Sequence, residues 1–492
     1  MDQRIIGVET EFGIIHTQRG DAAFGEPART LSPDDAARLL FQPIVEWGRS
    51  SNLFLPNGAR LYLDVGAHPE YASAECANLH DIVAQDRAGE LIVDRMRQAL
   101  EAKLAADGTG GSVYLFKTNV DSSGNSFGSH ENYMIGRDTR FARLVASLIP
   151  FLVTRQLYSG TGRIHPNGPV GFGEGQTFGG GAGEASYSFS QRADHIWEDA
   201  SSSTTRARPL INTRDEPHGD SERFRRLHVI VGDSTMSTTT TALRLGVTDL
   251  MLRMIESGQP LQDRTLNSPA MALRQISHDL TGTFQVAMRE GGTRSALDLQ
   301  REYWEVVSRF VQANGAHHDR VDWLLELWAR SLEAVESGDH SLIDTEIDWA
   351  IKKKLIDSWV ERAGADYSHP RAAQLDLTYH DIAPGRGLFR MLEERGMAAR
   401  LPGTDGSEAE AAVDQPPATR AALRGALVQA GMEAGVHFTA DWVNMKVNGP
   451  AQRVVTLRDP FAVHDDAAEQ LLERLRAERT TAVTSSPLPP AV

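Results

Sequence analysis

One cysteine, Cys76, stands in the whole chain, so no internal disulfide can form and no cysteine-rich zinc site can be built. Basic charge is also short. Lys and Arg number 50 against 66 Asp and Glu, a formal net charge of −16. Nucleic-acid backbones need a basic surface, so nucleic acid is not an expected partner. No apolar run approaches the roughly 20 residues of a membrane span. No basic segment and apolar stretch precede Ile5-Ile6-Gly7-Val8, so no signal peptide is expected. The G-x-S-x-G elbow and H-E-x-x-H are missing, and Cys76 has no evident partner, which leaves no nucleophilic triad. These absences together predict a soluble cytoplasmic protein with no membrane partner.

What is present suits a folded protein of one large and one small domain: 492 residues, 41% hydrophobic and 24% charged. Alternation predicts strands over 4–16 and 59–66, and again at Ser112–Asn119 and Arg226–Gly232. Ser32 to Trp47 reads as a helix with Ser32 as N-cap and Pro33 in the first turn. Leu79, Ile82, Val83, Leu91, Ile92, Met96 and Leu100 give a longer helix, from about Asn78 to Leu104, its apolar side. Residues 166–185 hold a glycine-rich insertion that matches neither phosphate-loop pattern and reads as a flexible surface segment. Asp249 to Arg395 is mainly helical, with Trp323, Leu324, Leu327 and Leu332 on one apolar face. The expected boundaries are a catalytic domain at 1–403, an exposed acidic linker at 404–417, a small domain at 418–479 and a disordered tail at 480–492. Within the small domain the pattern gives a helix at Ala418–Gly431, strands near His437–Lys446 and Arg453–Leu457, and a last helix at Asp465–Arg479.

Two segments could carry chemistry. In Gly7-Val8-Glu9-Thr10-Glu11-Phe12-Gly13 a strand would put Glu9 and Glu11 on one face. Adjacent carboxylates repel unless a cation lies between them, and Mg2+ prefers such hard oxygen ligands. An exposed face paired with Lys or Arg is the alternative. In the second segment, Asn57 to Tyr71, alternation puts Arg60, Tyr62 and Asp64 on one face and Leu61, Leu63 and Val65 on the other. A cation, a phenol and a carboxylate in a row can hold a phosphate, a metal and a proton acceptor; an ordinary amphipathic strand with an Arg–Asp pair would read the same. His228, interrupting Leu227-Val229-Ile230-Val231, reads as a satisfied core histidine. Asn212 to His218, beside Arg223, Arg225 and Arg226, is a candidate anion-binding loop.

These residues carry a resemblance. Gly7–Gly13, Asn57–Glu75, Ser129-His130-Glu131-Asn132-Tyr133, Pro150–Gln156, Asn212–His218, Arg225–Asp233, Asp344–Trp349, Gln374-Leu375-Asp376 and Asp441-Trp442 together resemble the Pup ligase/Pup deamidase family, related to glutamine synthetase and the glutamate–cysteine ligases. The short extension at Arg19–Arg29 and the run Asp64-Val65-Gly66-Ala67-His68-Pro69-Glu70-Tyr71 look like the Pup–protein ligase branch. Ser129, where ligases usually have Cys, is the deamidase-like choice. The resemblance implies an α+β fold: a glutamine-synthetase-like curved antiparallel sheet cradling the nucleotide, helices on its convex face, and a small C-terminal α/β domain at one rim. It implies that Pup is joined through its C-terminal glutamate γ-carboxylate to lysines of target proteins, by way of a γ-glutamyl phosphate and ATP, marking them for proteasomal degradation. A Pup deamidase or depupylase is the alternative, and a non-enzymatic Pup-binding adaptor a weaker one. By position, Glu9, Tyr62 and Glu70 match magnesium-binding or metal-proximal residues. Arg60, Ser73 and Trp442 match ATP contacts, Ser73 standing where the family commonly has Thr, and Asp64 matches the catalytic proton acceptor. Arg206, Arg208 and Lys352–Lys354 are candidates for a basic groove that takes acidic Pup.

Overall fold

The computed structural model describes residues 3–18, 30–48, 50–64, 66–121, 124–168, 184–203, 208–259, 261–448 and 453–481. Most of the glycine-rich insertion, the expected tail from 482 onward and Arg206 lie outside these residues.

Among the described residues, twelve strands precede the main helical region. They are β1 (Ile6–Glu11), β2 (Gly13–Thr17), β3 (Asn52–Phe54), β4 (Arg60–Asp64), β5 (His68–Ala72), β6 (Ser112–Phe116), β7 (Ser129–Gly136), β8 (Arg163–His165), β9 (Ser186–Ser188), β10 (Glu198–Ser201), β11 (Pro209–Asn212) and β12 (Phe224–Val229). Eight build one sheet in the order β10-β11-β12-β7-β1-β5-β4-β3, antiparallel except between β10 and β11. The strand expected over 4–16 divides after Glu11: β1 stays in this sheet and β2 pairs with β6 in another.

Period-two alternation decides which side of the sheet meets the core. Ile6 and Val8 of β1, Tyr133 and Ile135 of β7, and Leu227 and Val229 of β12 are buried against the helices Phe141–Thr154 and Thr238–Glu256. Leu61 of β4 and Tyr71 of β5 pack, on the same side, against α1 (Pro33–Gly48) and α2 (Leu79–Ala106). Both helices start where the sequence says. Ser32 Oγ accepts from Asp35 N at 3.1 Å, and the Asn78 side chain accepts from Asp81 N at 2.8 Å, satisfying N–H groups with no intrahelical partner.

Two expectations need correction. Residues 404–417 do not form an exposed linker: they contain the helix Ser407–Asp414, which buries Ala409, Ala412 and Val413 and lies along α2. The strand expected at His437–Lys446 is a hairpin, Phe438–Ala440 with Asn444–Val447, because Asp441 accepts from Val443 N and Asn444 N and turns the chain. The helical region is interrupted by the hairpin Gln285–Ala287/Thr293–Ser295. The face of Trp323, Leu324, Leu327 and Leu332 does pack inward, as periodicity predicts.

Candidate active site

The face opposite the core collects the polar side chains. Cross-strand register sets Tyr62 beside Glu70 and Glu70 beside Glu11. One row along, Arg60 lies beside Ala72, Ala72 beside Glu9, and Glu9 beside His130. His228 lies beside Asn132 on the next pair. Three strands therefore bring Glu9, Glu11, Arg60, Tyr62, Asp64 and Glu70 into one surface, as alternation predicts for each strand separately.

Bonds within this surface are dense. Glu9 takes His130 Nδ1 at 3.0 Å and Asn132 Nδ2 at 3.0 Å, with Arg226 at 3.6 Å and His228 Nε2 at 3.7 Å. Glu11 bonds His68 Nδ1 at 2.9 Å, and Tyr62 donates its hydroxyl to Glu70. The Arg60 guanidinium lies over the Tyr62 ring at 4.2 Å and donates to Asn52 Oδ1 at 2.8 Å. Burial pushes the Glu9 carboxyl upward, but His228, His130 and Arg226 outweigh it and hold the group well below the usual range. Glu70 goes the other way: burial, then the neighbouring Glu9 and Glu11, push it well above. Burial and Glu70 likewise raise the Tyr62 phenol. Four carboxylates on one face, one of them forced toward its neutral form, make an arrangement that a divalent cation relieves.

The donors fit such a cation. Glu11, Asp64 and Glu70 offer ligand atoms within 4.8 Å of one another, and so do Glu9, His130 and His228. The oxygen-only set suits Mg2+. His228 departs from the core-histidine reading. Asn212 Nδ2 bonds its Nδ1 at 3.2 Å, while its buried Nε2 has no hydrogen-bond partner and lies near Glu9.

A cleft is lined by Gly7, Glu9, Ser73, Asn132, Arg226 and Trp442. Trp442 is presented by the C-terminal hairpin, its ring edge-on to Phe54 at 5.0 Å. A buried clamp sets it there. Glu75 accepts from Arg420 Nε at 2.8 Å and from Arg424 Nη1 at 2.9 Å and Nη2; Arg424 also reaches the carbonyls of Gly58, at 2.7 Å, and Trp442, at 3.1 Å. Ser73 lines the cleft, but its hydroxyl already bridges Val8 N–H, at 3.0 Å, and the Ala74 carbonyl.

Other basic candidates are placed differently. Lys352 is fully buried, bound to Asp376, the Gly162 carbonyl at 2.6 Å and His380, so it cannot line a groove. Three consecutive helical residues point about 100° apart, and this one faces the core. Lys353 and Lys354 pair with Asp357 and Asp344. In the proposed anion loop, Arg225 pairs with Asp215, Arg226 with Glu216 and Arg223 with Asp459, so its positive charge is largely matched. The residues that the residue-by-residue reading missed are His130, Asn132 and Arg226 as partners of Glu9. Their alternation along β7 and β12 was the available clue.

With this geometry in view, comparison with known proteins is decisive. The family model for the Pup-ligase protein matches residues 4–446. The chain belongs to the Pup ligase family. It is 59% identical to a Pup–protein ligase of Kocuria rhizophila over 478 residues, covering 97% of this chain and 99% of that one. It is 50% identical to the Pup–protein ligase of Mycobacterium tuberculosis over 473 residues, 96% of this chain and 99% of that one. Among solved structures, the Pup ligase PafA in complex with Pup superposes with a TM-score of 0.88 at 44% identity, over 98% of this chain and 93% of that one. PafA in complex with ADP gives 0.82 at 46% identity, over 94% and 97%. Among the described residues of this family member, no helix is long and apolar enough to cross a membrane.

Proposed function

We infer that this chain joins Pup to lysine side chains of other proteins in an ATP-consuming reaction. Ligating a carboxylate to an amine requires activation of the first and deprotonation of the second. The observation that supports the reading best is one sheet face bearing Glu9, Glu11, Asp64 and Glu70, of which Glu9 also lines the cleft with Trp442. The near relatives are named Pup–protein ligases, and PafA has been solved with Pup and with ADP. ATP and Pup are assigned to this chain on that likeness.

Glu9 and Glu70 would hold Mg2+, with Glu11 able to complete an all-oxygen set beside Glu70 and Tyr62 as a neutral phenol that orients Glu70. A cation there would neutralise phosphate charge during phosphoryl transfer. Arg60 stabilises the same charge, Ser73 lines the cleft, and Trp442 packs against the nucleotide. The curved face is then the nucleotide cradle of a glutamine-synthetase-like domain at 1–403, closed at one rim by the unit at 418–479. The γ-carboxylate of Pup's C-terminal glutamate attacks the γ-phosphorus of ATP and ADP leaves, giving a γ-glutamyl phosphate. A lysine amine attacks its carbonyl, phosphate leaves, and an isopeptide bond remains. A free lysine has a pKa of ~10.4, so its amine must lose a proton first. Asp64 is the acceptor; it ends β4 just before Gly66 at φ 94° and Ala67 at φ 58°, a turn that sets it at the margin of the surface. The reaction is assigned to the cytoplasm, where ATP is supplied.

The hydrolytic alternative leans on Ser129. That residue is buried, and its hydroxyl donates to the Asp233 carbonyl at 3.2 Å. The test is incubation with Pup ending in Glu, ATP, Mg2+ and a lysine-rich protein, followed by mass spectrometry. A Pup–lysine adduct that depends on ATP and is lost in Asp64→Asn is the expected result. Ammonia from Pup ending in Gln, with no adduct, would overturn it.

A further inference from the structure

A second cluster shares no residue with the carboxylate face. His165 ends β8, Asp194 lies in the short helix Ala193–His195, and His278 caps the helix Pro269–Ser277. The three offer ligand atoms within 4.8 Å of one another. His278 Nε2 is 3.0 Å from Asp194 Oδ1, and the two imidazole rings are 4.6 Å apart. The His278 side chain is 3% exposed, and its Nδ1 has no hydrogen-bond partner among the described residues. His165 is buried too, and its Nε2 is bonded to Ser188 Oγ at 2.9 Å. An outer partner of that kind fixes the orientation of a metal-bound imidazole and leaves the other nitrogen to the metal.

We propose that His165, Asp194 and His278 form a site for a borderline transition cation of the Zn2+ class, separate from the catalytic magnesium. The donor set decides the class. Two imidazoles and one carboxylate suit Zn2+, whereas Mg2+ takes oxygen donors and gains little from a histidine pair; the like set around Glu9 is already engaged by Asn132 and Arg226. Three protein ligands leave a fourth position for water. Arg163 Nη1 lies 3.4 Å from His195 Nε2 and Arg274 donates to the Ile196 carbonyl, and both also attract Asp194 through space. Bound metal would tie together three segments distant in sequence.

The test uses the full chain stripped with a chelator and titrated with Zn2+ alone, read by calorimetry and by thermal unfolding. Parallel titrations use His165→Leu, His278→Asn and, as a control on the carboxylate face, Glu9→Gln. The expected result is one equivalent bound with a rise in unfolding temperature. Both histidine variants should weaken binding at least tenfold and lose the rise, while Glu9→Gln keeps both. Circular dichroism of the metal-free variants identifies any that fail to fold, and the other histidine variant then decides. Zn2+ binding unchanged in the folded histidine variants, or abolished by Glu9→Gln, would overturn the proposal.

Discussion

Glu75 offers the sharpest single perturbation. Its carboxylate is buried between Arg420 and Arg424, two guanidiniums from the C-terminal unit, and it joins that unit to the sheet that carries the site. Burial pushes the carboxyl up, but Arg424 and Arg420 pull it down to about 2 from a reference of 4.5. At roughly 1.4 kcal/mol per pKa unit that displacement is worth about 3 kcal/mol. Burial lowers the Arg420 guanidinium more than Glu75 raises it, so the net value is somewhat smaller. Leaving a buried guanidinium without its partner costs a similar amount, ~3 kcal/mol or more. Glu75→Gln should therefore lower unfolding free energy by about 2–3 kcal/mol in urea denaturation at neutral pH. Because the folded-state carboxyl is depressed, its stabilisation is complete above the unfolded value and is lost as pH falls from 4.5 toward 2. The wild-type and variant stabilities should therefore converge across that window. Arg424 also positions Trp442, so KM for ATP should rise in the variant by more than kcat falls. A change below ~0.5 kcal/mol, or a difference that does not shrink toward low pH, would refute the clamp.

Glu70→Gln should remove most ATP-dependent ligation, at least 100-fold by ADP release, yet leave unfolding temperature nearly unchanged, since burial and the neighbouring carboxylates already hold Glu70 toward its neutral form. Trp442→Ala should raise KM for ATP about tenfold through the loss of a large aromatic surface at the cleft, with a smaller effect on kcat. Lys352→Met should cost about 3 kcal/mol in denaturant unfolding, because Asp376 loses its buried partner, and should leave Pup affinity measured by calorimetry unchanged.

Local chemistry made much of this legible in the sequence. Ser32, Pro33 and Asn78 announce helix starts, and alternation around Glu9 and Arg60 announces strands with one polar face. Strand order is what joined those faces, and no local pattern encodes it. His228 shows the difference: on its own strand it is indistinguishable from a core histidine, and only the register with β7 brings it to Glu9. The helix Ser407–Asp414 was hidden by its composition, because alanines bury little area each and its acids dominate the reading. Lys352 was hidden by its neighbours, a run of lysines of which one turns inward. The family resemblance supplied roles for Ser73 and Trp442 that neither residue type implies by itself.

The most direct test of the central claim follows oxygen. Pup is prepared with heavy oxygen in the γ-carboxylate of its terminal glutamate, and the ligation is run with unlabelled ATP, Mg2+ and a lysine-bearing protein. If the carboxylate is activated as an acyl phosphate on this sheet face, one labelled oxygen per adduct appears in the inorganic phosphate released. Adduct formation with unlabelled phosphate would contradict that mechanism.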